Sequence, residues 1–207
     1  MKHICLFLAL SLLTIVLYAF ECNSYGPVAD EISCALLDQE PEAYGAVMDG
    51  NHVLILRENG EYHPYMYCTQ GLPISGLCWR DANTLMISMG AGTWSDGVYN
   101  FDLATHQWSV NEWFFWPNFI TYCPDNSTYY IGDRQGLYQS TDAATWNRIE
   151  DLGNEDCRSL AWFGQMMICN MDNGVFISSD GGVQWQQAGM GLLEKFRFTD
   201  NGTLYGI

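Results

Sequence analysis

An all-β repeat fold is what this sequence predicts, and three observations carry the prediction. Glycine-led strand starts, Gly97-Val98-Tyr99, Gly136-Leu137-Tyr138 and Gly174-Val175-Phe176, recur 39 and then 38 residues apart. The tryptophans that follow them, Trp108, Trp146 and Trp185, are spaced by 38 and 39. After the N-terminal apolar run, no stretch of ten or more residues places apolar side chains at the three-to-four spacing of an amphipathic helix. Two independent landmarks thus share one period of just under forty residues, the size of a unit of four short strands. The expected architecture is a β-propeller of about five four-stranded blades.

Taken in order from the N-terminus, residues 1–19 carry Lys2 and His3, an apolar run from Ile4 to Val16, and then Leu17-Tyr18-Ala19. This is the make-up of a secretory signal peptide cut after Ala19. The run is short for a bilayer span and is interrupted by Ser11 and Thr14, so no membrane insertion is expected after cleavage. Residues 20–43 form an N-terminal segment. Its stretch Val28–Asp38 either supplies a closing strand to the last unit, or the ring is incomplete and continues beyond Ile207.

Residues 44–207 hold the repeats, with unit starts near Tyr44, Ile74, Phe119, Cys157 and Glu194 and the last unit partial. Each unit contains a short β-prone run: Val53–Leu56, Leu85–Ser88, Tyr129–Ile131, Met166–Ile168 and Thr203–Tyr205. Four of these follow Asp/Asn turns, at Asp49-Gly50-Asn51, Asp81-Ala82-Asn83, Asp125-Asn126 and Asp200-Asn201-Gly202. Such residues reverse a chain readily, because Asp and Asn bond their own backbone and Gly and Asn tolerate positive φ. The fourth unit has Phe163-Gly164-Gln165 instead. Gly71-Leu72, Leu152-Gly153 and Gly191-Leu192 close units.

The net charge is −16, and removal of residues 1–19 takes one lysine and no acid, leaving −17. That balance repels phosphate backbones and anionic lipid, so nucleic acid is a poor partner. A protein or glycan partner fits better, although a surface kept soluble by its charge explains the same number. Eight cysteines fall to seven on cleavage, an odd number without CxxC spacing, and buried, inert thiols are expected for most. Two sequons, Asn126-Ser127-Thr128 and Asn201-Gly202-Thr203, coincide with turns that favour Asn in any case.

Ser178-Ser179-Asp180-Gly181-Gly182-Val183-Gln184-Trp185 matches Ser-x-Asp-x-Gly-x-x-Trp at every specified position. The chain therefore resembles the Asp-box (BNR) repeats of sialidase-like, sortilin-like and photosystem II stability-factor-like propellers. Ser140-Thr141-Asp142 to Trp146 is a shorter version, Asn100-Phe101-Asp102 to Trp108 a looser one, and the first unit has Glu61-Tyr62-His63-Pro64 in its place. The resemblance implies a hairpin between the two outer strands of a blade. There Ser140, Asp142, Trp146, Ser178, Asp180, Gly182 and Trp185 are structural and not catalytic.

In such a fold, loops from second to third strand and from blade to blade share the face opposite the boxes. That face collects Trp94, Asp96, Glu112, Trp113, Trp116, Asp133, Arg134 and Asp172 as candidate ligand-binding residues. Trp113-Phe114-Phe115-Trp116 places four large rings in succession, which cannot all face one side of a strand, so some are expected to be exposed. An aromatic shelf suits sugar rings or a peptide; the alternative is that the rings fill a gap between blades or an inter-chain contact.

No catalytic residue, metal ligand or cofactor is assigned. His52, His63 and His106 stand at unrelated positions. No Gly-x-Ser-x-Gly or phosphate loop is present, and the arginines match no sialidase signature, with Arg80 and Arg148 read as falling in turns or outer positions. The expected role is a non-enzymatic binding or scaffolding module that is secreted, periplasmic or on the cell surface. The competing readings are a glycoside hydrolase of sialidase-like fold and a structural repeat of a larger surface assembly.

Overall fold

A computed structural model describes residues 31–37, 41–48, 51–66, 72–189, 196–199 and 202–206. The signal-peptide run, Cys22 and Cys68, and the turns at Asp49-Gly50 and Asp200-Asn201 lie outside them, as do Gly71 and Gly191-Leu192. The described chain is all-β, with one short 3-10 turn at Glu150–Leu152. No helix among the described residues is long and apolar enough to cross a membrane.

The strands form antiparallel sheets in strict sequence order. The first sheet is β1 (Glu31–Leu36), β2 (Glu42–Met48), β3 (Asn51–Glu58) and β4 (Glu61–Tyr65). The second is β5 (Ile74–Asp81), β6 (Thr84–Met89), β7 (Gly97–Asp102) and β8 (Gln107–Trp113). The third is β9 (Phe119–Cys123), β10 (Thr128–Asp133), β11 (Gly136–Ser140) and β12 (Asn147–Arg148). The fourth is β13 (Cys157–Phe163), β14 (Met166–Met171), β15 (Gly174–Ser178) and β16 (Gln186–Gly189), followed by the pair β17 (Phe196–Phe198) and β18 (Leu204–Gly206).

β5, β9 and β13 begin at the unit starts expected from the repeat. The first sheet does not: it begins at Glu31 and not at Tyr44, because β1 pairs with β2 and completes this sheet. The Ile32–Leu36 run thus pairs with β2 within the first sheet, and of the two alternatives for this stretch the closing strand is not the one the described residues form. Val53–Leu56 is accordingly a third strand, turned into β4 by a two-residue hairpin in which Asn59 and Gly60 adopt φ of 53° and 83°.

Three of the apolar layers lie between successive sheets, and a fourth, of Ala46, Val53 and Ile55, lies on the first sheet. One joins Leu54 and Leu56 of the first sheet to Leu85, Ile87, Tyr99 and Phe101 of the second. Another joins Met86, Val98 and Phe114 to Ile120 and Ile131, and a third joins Tyr130 and Leu137 to Met167, Cys169 and Phe176. Inner sheets are therefore covered on both faces. This explains why β6 reads Leu-Met-Ile-Ser-Met without polar alternation: all five side chains are buried. First strands meet first strands: Ser33 Oγ donates to the Ile74 carbonyl at 2.8 Å, and Asn118 Nδ2 to the Cys157 carbonyl at 2.9 Å. At Gly76 a Cβ would lie 2.7 Å from the Ile120 amide nitrogen, an approach only glycine permits.

The turns between third and fourth strands of the second, third and fourth sheets are held alike. Asp180 Oδ1 accepts the amides of Val183 (3.1 Å) and Gln184 (2.9 Å) and the Ser178 hydroxyl (2.8 Å), while Ser178 Oγ accepts the Gly182 amide at 2.9 Å. Asp142 Oδ1 accepts the Ala144 and Thr145 amides at 2.9 and 2.7 Å and the Ser140 hydroxyl at 2.9 Å. Asp102 accepts the Thr105 amide and hydroxyl, both at 2.7 Å. These bonds hold all three carboxyls below the usual carboxylate range. The following tryptophan packs back toward the preceding sheet: Trp146 Nε1 donates to Asn111 Oδ1 at 3.1 Å, with its ring edge-on to Phe114. Asn126 ties third to fourth sheet, its amide nitrogen donating to the Gly181 carbonyl and the Tyr130 hydroxyl, each at 2.8 Å.

Candidate functional site

The end of the molecule opposite those turns carries the loops from β6 to β7, β8 to β9, β10 to β11 and β14 to β15. In the first of them the Asp96 carboxylate, itself buried, gathers the Ala91 amide (3.0 Å), the Gly92 amide (2.7 Å) and the Thr93 hydroxyl (3.0 Å). Tyr99 donates its hydroxyl to the Ser95 carbonyl. Gly92, at φ 76°, lies against the Trp116 ring, where a Cβ would come within 2.4 Å. The loop is thus tied on both sides of Trp94, whose side chain is completely exposed.

The four consecutive rings divide as the strand geometry requires. Trp113 ends β8 with 54 % of its surface exposed, Phe114 turns inward and is buried, and Phe115 turns out again at 47 %. Trp116, at φ 58°, is covered on one face by the Arg134 guanidinium, 3.7 Å from the ring centroid. Asp133 organises this segment from beneath: Oδ2 accepts the Phe115 amide at 3.1 Å and Oδ1 the Gln135 amide at 2.7 Å. Burial pushes the Asp133 carboxyl up to about 6, against the pull of those amides.

Beside the rings is a recess of about 220 Å³ lined by Glu112, Trp113, Phe115, Asp133, Gln135 and Tyr138, among others. This is below the ~300–1,000 Å³ typical of small-molecule pockets. It is large enough for one side chain of a partner, with aromatic walls and two carboxylates but no basic lining residue.

Of the eight residues expected to bind, the structure brings Glu112, Trp113 and Asp133 to this recess, and sets Trp116 and Arg134 beside the Trp94 loop. Asp96 is a buried loop organiser. Asp172 lies in the β14–β15 turn, where it is ion-paired to Arg158 at 2.6 Å. Gln135 and Tyr138 are not among the candidate residues, and Phe115 is named only within the run of four rings, where the alternation that exposes Trp113 exposes it too, two positions on. Among the described residues no group of three or more His, Cys, Asp or Glu side chains is placed to hold a metal ion.

No protein-family model and no curated protein sequence matches the chain. Solved structures match its fold. YCF48 bound to D1 peptide superposes with a TM-score of 0.61 at 15% identity, over 87% of this chain and 61% of that one. The nidogen/laminin complex gives 0.62 at 12% identity, over 84% and 71%. The extracellular domain of the hybrid two component system BT4673 from B. thetaiotaomicron gives 0.62 at 15%, over 85% and 25%. The chain thus spans less than two thirds of YCF48 and about a quarter of the BT4673 domain. At these identities the likeness establishes a β-propeller fold and nothing finer.

Proposed function

We propose that this chain is an exported, non-enzymatic binding module, an Asp-box propeller that docks a segment of a partner protein on the face bearing Trp94, Trp113 and Phe115. The observation that carries the reading is Trp94, wholly exposed on a loop fixed by the buried Asp96 carboxylate. A large ring carried on a loop whose backbone is already held in place requires little further ordering of the main chain when a partner covers it, which favours such a residue as an anchor. The neighbouring recess fits one inserted side chain. Its Glu112 and Asp133 carboxylates and aromatic walls select a lysine or arginine, in keeping with the net charge of −16. Two of the structural relatives are themselves bound to partners, a D1 peptide in one case and laminin in the other, which supports protein docking over a glycan.

A random peptide library displayed on phage, selected against the immobilised chain, tests this. Enriched peptides should be net basic, and their affinity should fall about tenfold or more for a Trp94→Ala/Trp113→Ala variant that keeps its melting temperature. Enrichment without charge bias, or binding indifferent to both substitutions, contradicts the reading. So does an unselected library paired with robust turnover of a glycoside substrate.

A further inference from the structure

A second concavity lies at the other end of the molecule. Where the first strands β5, β9 and β13 converge, on the side of the Asp81–Asn83 turn, they line an open cavity of about 600 Å³. Its walls are aromatic, with Trp79, Tyr122, Tyr129 and Trp162 contributed by three successive sheets, and its charged lining residues are Arg80 and, at the turn, Asp81. That volume lies within the range of pockets that enclose small molecules.

The state of Arg80 sets it apart. Arg57, Arg148 and Arg158 are ion-paired to Glu42, Glu150 and Asp172, and Arg134 is stacked on Trp116. Among the described arginine side chains, Arg80 alone has neither a carboxylate nor a ring partner. The nearest acid in sequence, Asp81, is engaged by the Asn83 amide at 2.9 Å in its own turn. The Tyr129 hydroxyl donates to the Arg80 carbonyl at 2.9 Å, which fixes the strand but leaves the guanidinium free. In a chain of net charge −16, the Arg80 guanidinium, without an ion pair, lines a cavity with four aromatic rings, while the Asp81 carboxylate beside it is engaged in its own turn.

We infer that this axial cavity binds a small, flat, aromatic molecule bearing a single carboxylate, its ring among Trp79, Tyr122, Tyr129 and Trp162 and its carboxylate on Arg80. Guanidinium and carboxylate match as planar forks, and the ring faces supply area for stacking. One cation balances one negative charge; phosphate esters and other polyanions meet the repulsion of the surrounding acidic protein. The site is separate from the Trp94 face and does not depend on what binds there.

Ligand-observed NMR titration of the whole chain with indole-3-acetate and its neutral amide tests the assignment. The acid should saturate the protein with an affinity about tenfold above that of the amide. Arg80→Gln, whose side chain is partly exposed and whose melting temperature is measured alongside, should reduce the acid to the level of the amide. Trp94→Ala/Trp113→Ala, at the opposite end, should leave both titrations unchanged. Absence of saturable binding, equal affinity for the two probes, or full affinity in a folded Arg80→Gln variant overturns the inference.

Discussion

Asp133 shows how one side chain serves both the loops and the recess. Its carboxylate holds the Phe115 and Gln135 amides, yet it is buried enough that its pKa rises to about 6 from the ordinary 3.8. A raised carboxyl pKa means that the folded protein keeps a proton which the unfolded chain has released. The stability this group contributes is therefore full below about pH 4 and is lost as the pH climbs through about 6. Asp133→Asn cannot titrate. Between pH 7 and pH 5 the melting temperature of the wild type should accordingly rise relative to that of the variant, as measured by thermal unfolding at each pH. Parallel curves would mean that the carboxyl is solvated. The turn aspartates work in the opposite sense: Asp142 and Asp180 have lowered pKa values, and what they contribute is lost only on stronger acidification.

At the scale of strands and turns, the sequence was most informative where glycine, aspartate and tryptophan recur. The outer hairpins from Ser140 and Ser178 and the starts of β5, β9 and β13 could be read because each is marked by local backbone chemistry. The first blade was misplaced by one strand because Asn59-Gly60 replaces the aspartate-held turn, and a tight hairpin carries no tryptophan landmark. Arg80 was read as lying in a turn or at an outer position, yet it sits near the end of β5, an inner strand. Its neighbour Asp81 signalled the turn correctly, but convergence with Tyr122 and Trp162 is set by packing between blades, which no local pattern records. Gly76 tests that packing. Gly76→Ala puts a methyl 2.7 Å from the Ile120 backbone nitrogen, so β5 and β9 must separate. Chemical denaturation should show a loss of about 1–3 kcal/mol, the scale of an overpacked core. An unchanged midpoint would mean that these strands are not adjacent.

Among the described residues, the sheets of the propeller stack one on the next, the inner ones burying both faces against their neighbours, and their two ends are left for different uses. One end is occupied by aspartate-held turns around the aromatic cavity. The other carries longer loops stiffened by buried Asp96 and Asp133, with Trp94, Trp113 and Phe115 turned outward. The division gives many carboxylates a structural role, since Asp81, Asp96, Asp102, Asp133, Asp142 and Asp180 all bond turn or loop amides. It also predicts that the two ends bind independently.

The central claim, recognition through the Trp94 face, is tested most directly by amide hydrogen exchange of the whole chain with and without a selected basic peptide. The account predicts slowed exchange in residues 90–96 and 112–118, with the aspartate-held turns at 102–107 and 141–145 unchanged. Protection confined to those turns, or spread evenly over the strands, would contradict it.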